Sequence, residues 1–146
     1  MNLCPFCLPD SKGCWLNFVQ SVQKHYAEFR EDGNHAYLEV CLPTLYPEGE
    51  LEPGDSWFSE PDDFSVNFSC IRGNLTTTLW CANVDVEEWD FWWGEERPAR
   101  LGIREPRKVG SEVEALAAAV ESLCKELPRY GYTPETTKDT LFDWNV

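Results

Sequence analysis

Hydrophobic and polar positions alternate most regularly between residues 64 and 93, the richest strand-forming stretch of the chain. In residues 64–70, apolar side chains alternate with serine and asparagine, which is the period of a strand with one buried face. Gly73 and Asn74 tolerate positive φ angles, so a turn is expected there. The threonine-rich residues 75–84 predict a second strand, which pairs with the first as a β-hairpin.

Further strands are expected on both sides of this hairpin. Residues 35–42 alternate and end at Pro43, which predicts a strand before it. Residues 85–88, Asp-Val-Glu-Glu, are expected to form a second turn, and residues 89–93 a short strand after it. Sequential strands of this kind predict an antiparallel meander sheet of about four strands.

Two segments have the 3.6-residue period of amphipathic helices. Residues 11–29 form the first. The second follows a capping box, in which Ser111 is the N-cap and Glu114 reaches back, and it closes at Pro128. Its apolar stripe is expected to comprise Val113, Leu116, Ala117, Val120, Leu123, Cys124 and Leu127. With two helices on one face of the sheet, the predicted fold class is α+β, a two-layer sandwich.

The length of 146 residues fits a single α+β domain spanning residues 1–146. Residues 1–10 are interpreted as an N-terminal arm, and residues 130–146 as a tail that docks through its apolar side chains. The expected core comprises Trp15, Val19, Val22, Tyr26, Phe64, Val66, Phe68, Leu79, Leu116, Val120 and Leu123.

The charge of the chain is concentrated in its middle. Residues 31–96 contain sixteen of the 26 acidic residues but only one of the twelve basic residues, Arg72. Such a field repels nucleic acid and attracts basic partners. It is equally compatible with an acidic surface that only keeps the protein soluble. Residues 94–110 form a basic loop, whose arginines are expected to pair with nearby carboxylates.

Residues 44–63 form a long acidic loop, interrupted by prolines and glycines, in which Trp57 and Phe58 lie near the middle. Loops of this length are often functional. Together with the acidic and aromatic residues at 87–93, this loop supplies the predicted partner-binding residues. They are Glu48, Glu50, Glu52, Asp55, Trp57, Glu60, Asp62, Asp63, Glu87, Glu88, Trp89, Asp90, Trp92 and Trp93.

The weak candidates for a metal site are Cys4, Cys7 and Cys14. A two-residue gap between cysteines is half of a zinc knuckle, but no second pair with suitable spacing follows. The seven cysteines are otherwise expected to be free thiols in a reducing compartment. His25 lies at the edge of the apolar stripe of the first helix and is interpreted as a half-buried flanking residue.

No GxSxG, HExxH, P-loop or GxGxxG motif is present, so no catalytic residues and no cofactor are predicted. The favoured hypothesis is a non-enzymatic inhibitor of the immunity-protein or antitoxin kind. Its acidic, aromatic surface would mask a basic, nucleic-acid-binding protein, because complementary charge speeds association and tryptophans make strong interface anchors. The alternative is a metal-binding protein or metal-dependent hydrolase that uses clustered carboxylates or Cys4, Cys7 and Cys14.

The first ten residues lack the basic start and apolar run of a secretory signal. No stretch approaches the roughly 20 apolar residues that a membrane helix needs. The expectation is a cytoplasmic protein that binds a basic protein partner and contacts neither nucleic acid nor a membrane directly.

Overall fold

A computed structural model describes residues 13–32, 37–43, 64–81, 84–94 and 106–145 of the chain. The described residues form two α-helices, a 3-10 turn and six strands of one sheet. In chain order these are α1 (Leu16–Asp32), β1 (Tyr37–Cys41), β2 (Phe64–Ile71), β3 (Asn74–Cys81), β4 (Val84–Trp92), β5 (Arg107–Lys108), α2 (Glu112–Glu126), the 3-10 turn (Leu127–Tyr130) and β6 (Leu141–Asn145).

The α+β class is confirmed, but the sheet is larger than predicted and is mixed. Its strand order is β5-β4-β3-β2-β1-β6. The antiparallel meander is its central part, β1 to β4. β5 adds a parallel edge beside β4, and β6 adds an antiparallel edge beside β1. β5 has only two residues, too few to show a period, and β6 lies in the segment that was predicted only as a docked tail.

The predicted turn at residues 85–88 is wrong, because these residues lie inside β4. Leu79 pairs with Glu87 while Trp80 pairs with Asp85, so β4 has one extra residue at a β-bulge. The bulge changes the phase of the alternation. Apolar residues fall at even positions before it, Val84 and Val86, and at odd positions after it. At this phase change Glu87 and Glu88 are adjacent polar residues, and for that reason the sequence indicated a turn there.

Both helices pack on the same face of the sheet, which we call the helix face. The ring of Tyr26 in α1 makes an edge contact with Phe68 of β2, and Glu112 of α2 accepts a hydrogen bond from Cys70 of the same strand. The fully buried members of the core include Trp15, Val19, Val22, Leu38, Val40, Val66, Phe68, Leu75, Leu79, Ala119, Val120 and Leu123. Neither helix of the described ranges is long and apolar enough to cross a membrane.

α2 is rotated relative to the predicted stripe. Val113 is 78% exposed, and Leu116 is only partly buried, while Ala115 and Ala119 are fully buried. The difference is confined to the first turns of α2, because Val120, Leu123, Cys124 and Leu127 are buried as predicted. Phe64, also expected in the core, is likewise only partly buried against it.

The N-terminus of α2 uses a variant of the predicted capping box. Ser111 Oγ accepts a hydrogen bond from the Glu114 N–H (3.2 Å), as expected. The Glu114 carboxylate, however, accepts from the N–H of Gly110 (2.7 Å), one residue before the N-cap. The α-helix itself ends at Glu126, just before Pro128, and Pro128 lies in the 3-10 turn that continues from it. Gly131 ends that turn with a φ of 90°.

Residues 130–145 pack onto the rest of the molecule at two points. The Tyr132 hydroxyl donates to the carbonyl oxygen of Pro43 (2.7 Å), immediately after β1. β6 then pairs with β1, and the ring of its Phe142 stacks on His25 of α1 with a centroid distance of 4.1 Å. His25 therefore belongs to the contact between α1 and the edge strand.

Candidate partner-binding surface

The opposite face of the sheet has no helix on it among the described elements, and we call it the helix-free face. Alternation within each strand and the pairing between strands decide which side chains lie there. They are Tyr37, Glu39, Cys41, Ser65, Asn67, Ser69, Ile71, Asn74, Thr76, Thr78, Trp80, Glu88, Asp90, Trp92, Lys108, Leu141 and Asp143. Four carboxylates thus share a surface with one cation, Lys108, among the strand residues described.

Three of these carboxylates fall in one row across the sheet. Glu39 lies directly opposite Asp143 on one side and opposite Asn67 on the other. The row continues from Asn67 through Thr78 to Glu88. Glu39 and Glu88 are half-buried, and Asp143 is exposed. Directly opposed like charges repel one another in a sheet, and Glu39 and Asp143 are placed in this way.

Asp90, the fourth carboxylate, is held within the sheet. It is only 7% exposed, and its Oδ1 accepts a hydrogen bond from Thr76 Oγ1 at 2.8 Å. The neighbouring Asn74 donates to the carbonyl oxygen of Phe91 (3.1 Å). Asp90 therefore contributes to the field of the surface but does not present its oxygens for direct contact.

Apolar and aromatic groups lie around this polar centre. Ile71 and Leu141 are 63% and 70% exposed, two of the few large apolar side chains that the described residues leave open to solvent. Trp80 and Trp92 are half-buried. The ammonium of Lys108 lies 4.9 Å from the centre of the Trp92 ring. The middle of this face is closed to solvent, because Thr76, Thr78, Asn67 Oδ1 and Trp80 Nε1 are buried. Its exposed groups, Ile71, Leu141, Asp143 and Lys108, lie towards the edges of the sheet and combine apolar side chains with charge.

The structure divides the predicted partner-binding residues. Glu88, Asp90 and Trp92 lie on the helix-free face, whereas Glu87 and Trp89 lie on the helix face. Trp89 is 9% exposed and belongs to the core, and Trp93 is packed against it. Consecutive residues of a strand point to opposite sides, so residues 87–93 cannot form one surface. We therefore do not carry Trp89 into the proposed site.

The remaining predicted residues belong to the acidic loop and lie outside the described residues. These are Glu48, Glu50, Glu52, Asp55, Trp57, Glu60, Asp62 and Asp63. Conversely, the sequence reasoning missed Glu39, Asp143, Ile71 and Leu141. Glu39 occupies the polar phase of a strand that the sequence predicted, which was a usable signal, whereas β6 with Asp143 and Leu141 was not predicted as a strand. That β6 brings Asp143 beside Glu39 could not be read from either segment alone.

The helix face contains a second group of polar residues, centred on Glu112. Its Oε2 accepts hydrogen bonds from the Tyr26 hydroxyl (3.2 Å) and from Arg30 Nε (3.0 Å), and its Oε1 from Cys70 Sγ (3.6 Å). Burial, reinforced by the neighbouring Cys70 and Glu112, raises the pKa of Tyr26. Burial also raises the pKa of the Cys70 thiol. Both shifts favour the protonated forms, in which Tyr26 and Cys70 donate to Glu112, and the cluster joins the two helices to the sheet.

The described part of the chain offers little support for the metal-binding alternative. No group of three or more histidine, cysteine or acidic side chains is arranged there to hold a metal ion. Cys14 is exposed, and its sulfur accepts a hydrogen bond from the Leu16 N–H at the start of α1 (3.4 Å). Cys4 and Cys7 lie outside the described residues, so this part of the prediction stays open.

The chain matches no protein-family model, and comparisons with curated proteins and with solved structures find no similar protein. Function therefore has to be argued from the side chains of the surface, because an α+β architecture is compatible with many activities.

Proposed function

We propose that this chain is a non-enzymatic protein-binding module that binds a basic partner through the helix-free face. The observation that carries the proposal is the pairing of Glu39 with Asp143 on a surface that also exposes Ile71 and Leu141. Each feature has a cost for the isolated chain. A binding partner that supplies positive charge and covers the apolar groups relieves both costs at once.

The negative charge of the helix-free face determines which kind of partner can bind there. Opposed carboxylates on neighbouring strands repel one another, and a sequence selected only for stability has no reason to place them there. The whole chain has a net charge of −14, so its overall field is negative. Such a field accelerates association with a basic protein and opposes association with nucleic acid.

The apolar side chains set the kind of contact. Interfaces combine apolar and polar groups, and tryptophan is enriched among the residues that contribute most affinity. Trp80 and Trp92 lie on the same face as Ile71 and Leu141. Carboxylates alone would suit a purely solvating surface. Their combination with exposed apolar groups favours an interface.

An inhibitor fits this chemistry better than an enzyme does. A protein that binds nucleic acid presents a basic cleft, and an acidic surface with aromatic anchors can occupy that cleft in place of its substrate. Immunity proteins and antitoxins work by blocking their targets, so the proposal places this chain in that functional class. The metal-dependent alternative depends on clustered carboxylates or on Cys4, Cys7 and Cys14.

The test compares two variants with the same change in charge. Glu39→Gln, Glu88→Gln and Asp143→Asn together neutralise the row on the helix-free face. Glu31→Gln, Glu121→Gln and Asp139→Asn neutralise exposed carboxylates outside the sheet. Wild type and both variants are immobilised, exposed to extract of the native host at low salt, and the bound proteins are quantified by mass spectrometry.

The expected result is a basic protein that the wild type and the second variant retain and the first variant loses. The purified partner should then associate more slowly with the first variant, with a weaker dependence on salt. Equal retention of every basic protein by both variants would mean that only net charge matters, and the proposed surface would be rejected.

A further inference from the structure

Two cations of β5 lie over aromatic rings of β4, one on each face of the sheet. The Arg107 guanidinium is 5.1 Å from the centre of the Phe91 ring, and the Lys108 ammonium is 4.9 Å from the centre of the Trp92 ring. Parallel pairing places each cation directly beside its ring. The Trp92 ring on the helix-free face is thus already in contact with a cation, the solvent-exposed ammonium of Lys108.

Hydrogen bonds hold the backbone around Trp92, including one from the Val109 N–H to the Trp92 carbonyl oxygen (2.8 Å), while the Lys108 side chain is exposed. The end of β4 is pinned to the β2–β3 turn, because the N–H groups of Trp93 and Gly94 both donate to the carbonyl oxygen of Gly73 (2.9 and 3.3 Å). Gly73 has a φ of 79°, and a Cβ there would lie 2.8 Å from the Cα of Gly94. The two segments of the backbone therefore approach each other at glycines. Lys108, by contrast, is an exposed residue of a two-residue strand.

We infer that Trp92 is the binding site for an arginine side chain of the partner, and that Lys108 occupies this site in the free protein. The inference rests on the proposed function and assigns one specific contact to it. Lys108 then acts as an internal stand-in for the partner's cation. It covers a tryptophan that would otherwise face solvent, and it leaves when a better cation arrives.

Arginine is the better cation for this position. Its guanidinium is planar, stacks on aromatic rings and is more weakly hydrated than an ammonium, so less hydration is lost when it is placed on the ring. The negative charge of the carboxylates on the same face raises the local concentration of arginine side chains near Trp92. Arg107 offers a built-in control, because it makes the equivalent contact with Phe91 on the helix face, away from the proposed surface.

The experiment uses a hexa-arginine peptide as the probe and follows the indole N–H resonance of Trp92 by NMR at low salt. The Trp92→Phe variant identifies that resonance. Lys108→Met removes the competing ammonium and keeps the length of the side chain, and Arg107→Met makes the same change in charge at the next residue. A hexa-lysine peptide tests the preference for the guanidinium.

The Trp92 resonance should move on addition of hexa-arginine, and the peptide should bind Lys108→Met at least about three times more tightly than Arg107→Met. Hexa-lysine should move it less. An unmoved Trp92 resonance, or equal affinity of the two variants, overturns the inference.

The two proposals fail separately. The Glu39→Gln, Glu88→Gln, Asp143→Asn variant is titrated with the same peptide. Weaker peptide binding by that variant, with no response at Trp92 in the wild type, would support the acidic surface and reject the arginine site. A response at Trp92 with undiminished binding by that variant would support the arginine site and count against the role of the carboxylates.

Discussion

The two faces of the sheet are built from the same strands but differ in the interactions that their side chains make. On the helix face, Phe68 and Leu79 are fully buried beneath α1 and α2. On the helix-free face, the residues that alternate with them are serine, asparagine, threonine and carboxylates. Even there, Thr76 and Asp90 are buried, and they form a hydrogen bond with each other. One face is organised by exclusion of water and the other by polar contacts and charge.

This difference indicates where stability and binding reside. Burial of apolar area is the largest favourable contribution to folding, so the helix face determines whether the chain folds. The helix-free face includes an opposed pair of carboxylates and exposed Leu141, which stability alone does not explain. Substitutions on the two faces should therefore have effects of different size and different kind.

The largest effect is expected for Phe68→Ala. Phe68 is fully buried between Leu38 and Thr77 of the neighbouring strands, and its ring contacts Tyr26. Removing it loses the buried area and leaves a cavity, which should lower the free energy of unfolding by about 3–5 kcal/mol. Urea denaturation followed by tryptophan fluorescence measures the change.

The next residue along the same strand is the control. Ser69 points to the helix-free face, and Ser69→Ala should change the free energy of unfolding by less than about 0.5 kcal/mol. Similar losses for the two variants would show that the faces do not differ in this way, or that the alternation of β2 is assigned to the wrong sides.

A second prediction concerns the response of the helix face to alkaline pH. The pKa of Tyr26 is raised by burial and then by its neighbours Cys70 and Glu112, so the folded state holds the phenol proton more tightly than the unfolded state does. Its contribution to stability is complete below the unfolded pKa of about 10 and is lost as the pH rises above that value. Each such group lowers the free energy of unfolding by up to about 1.4 kcal/mol per pH unit in that range.

Tyr26→Phe should therefore make stability less sensitive to pH between about 9 and 11. Cys70, whose pKa is also raised by burial, contributes in the same direction from its unfolded pKa upward. Tyr37→Phe, on the helix-free face, makes the same chemical change and serves as the comparison. The measurement is urea denaturation at a series of pH values, and an unchanged slope in Tyr26→Phe would remove Tyr26 as its source.

Most of the central fold could be predicted from the sequence, because local signals and tertiary packing agree there. The hairpin of β2 and β3 follows from the alternation of β2 and a turn signal at Gly73, although the positive φ angles fall on Arg72 and Gly73 while Asn74 begins β3. The N-cap of α2 follows from Ser111. The errors come where one residue changes the pattern. The bulge reverses the alternation within β4, and the buried alanines of α2 carry too little hydrophobicity to show which side faces the sheet.

The candidate site could be predicted only in part, for a different reason. Charge and aromatic content locate a surface along the chain, but a strand divides neighbouring residues between two faces, which removes Trp89 from the site. Glu39 and Asp143 come from opposite ends of the chain and meet only through the pairing of β1 with β6. Contacts of this long-range kind leave no trace in local periodicity.

The smallest expected effect is the most specific to the helix-free face. Because Glu39 lies directly opposite Asp143, their repulsion should appear in a double-mutant cycle of Glu39→Gln and Asp143→Asn. Either single change should remove the repulsion, so the double variant should gain less stability than the sum of the two singles. The coupling should be repulsive by about 0.2–1 kcal/mol at low salt and should shrink as salt screens it. Urea denaturation of the four proteins at two salt concentrations measures it. A coupling of zero or of attractive sign at low salt would mean that the two carboxylates do not oppose each other. The helix-free face would then lack the energetic cost that a basic partner is proposed to relieve.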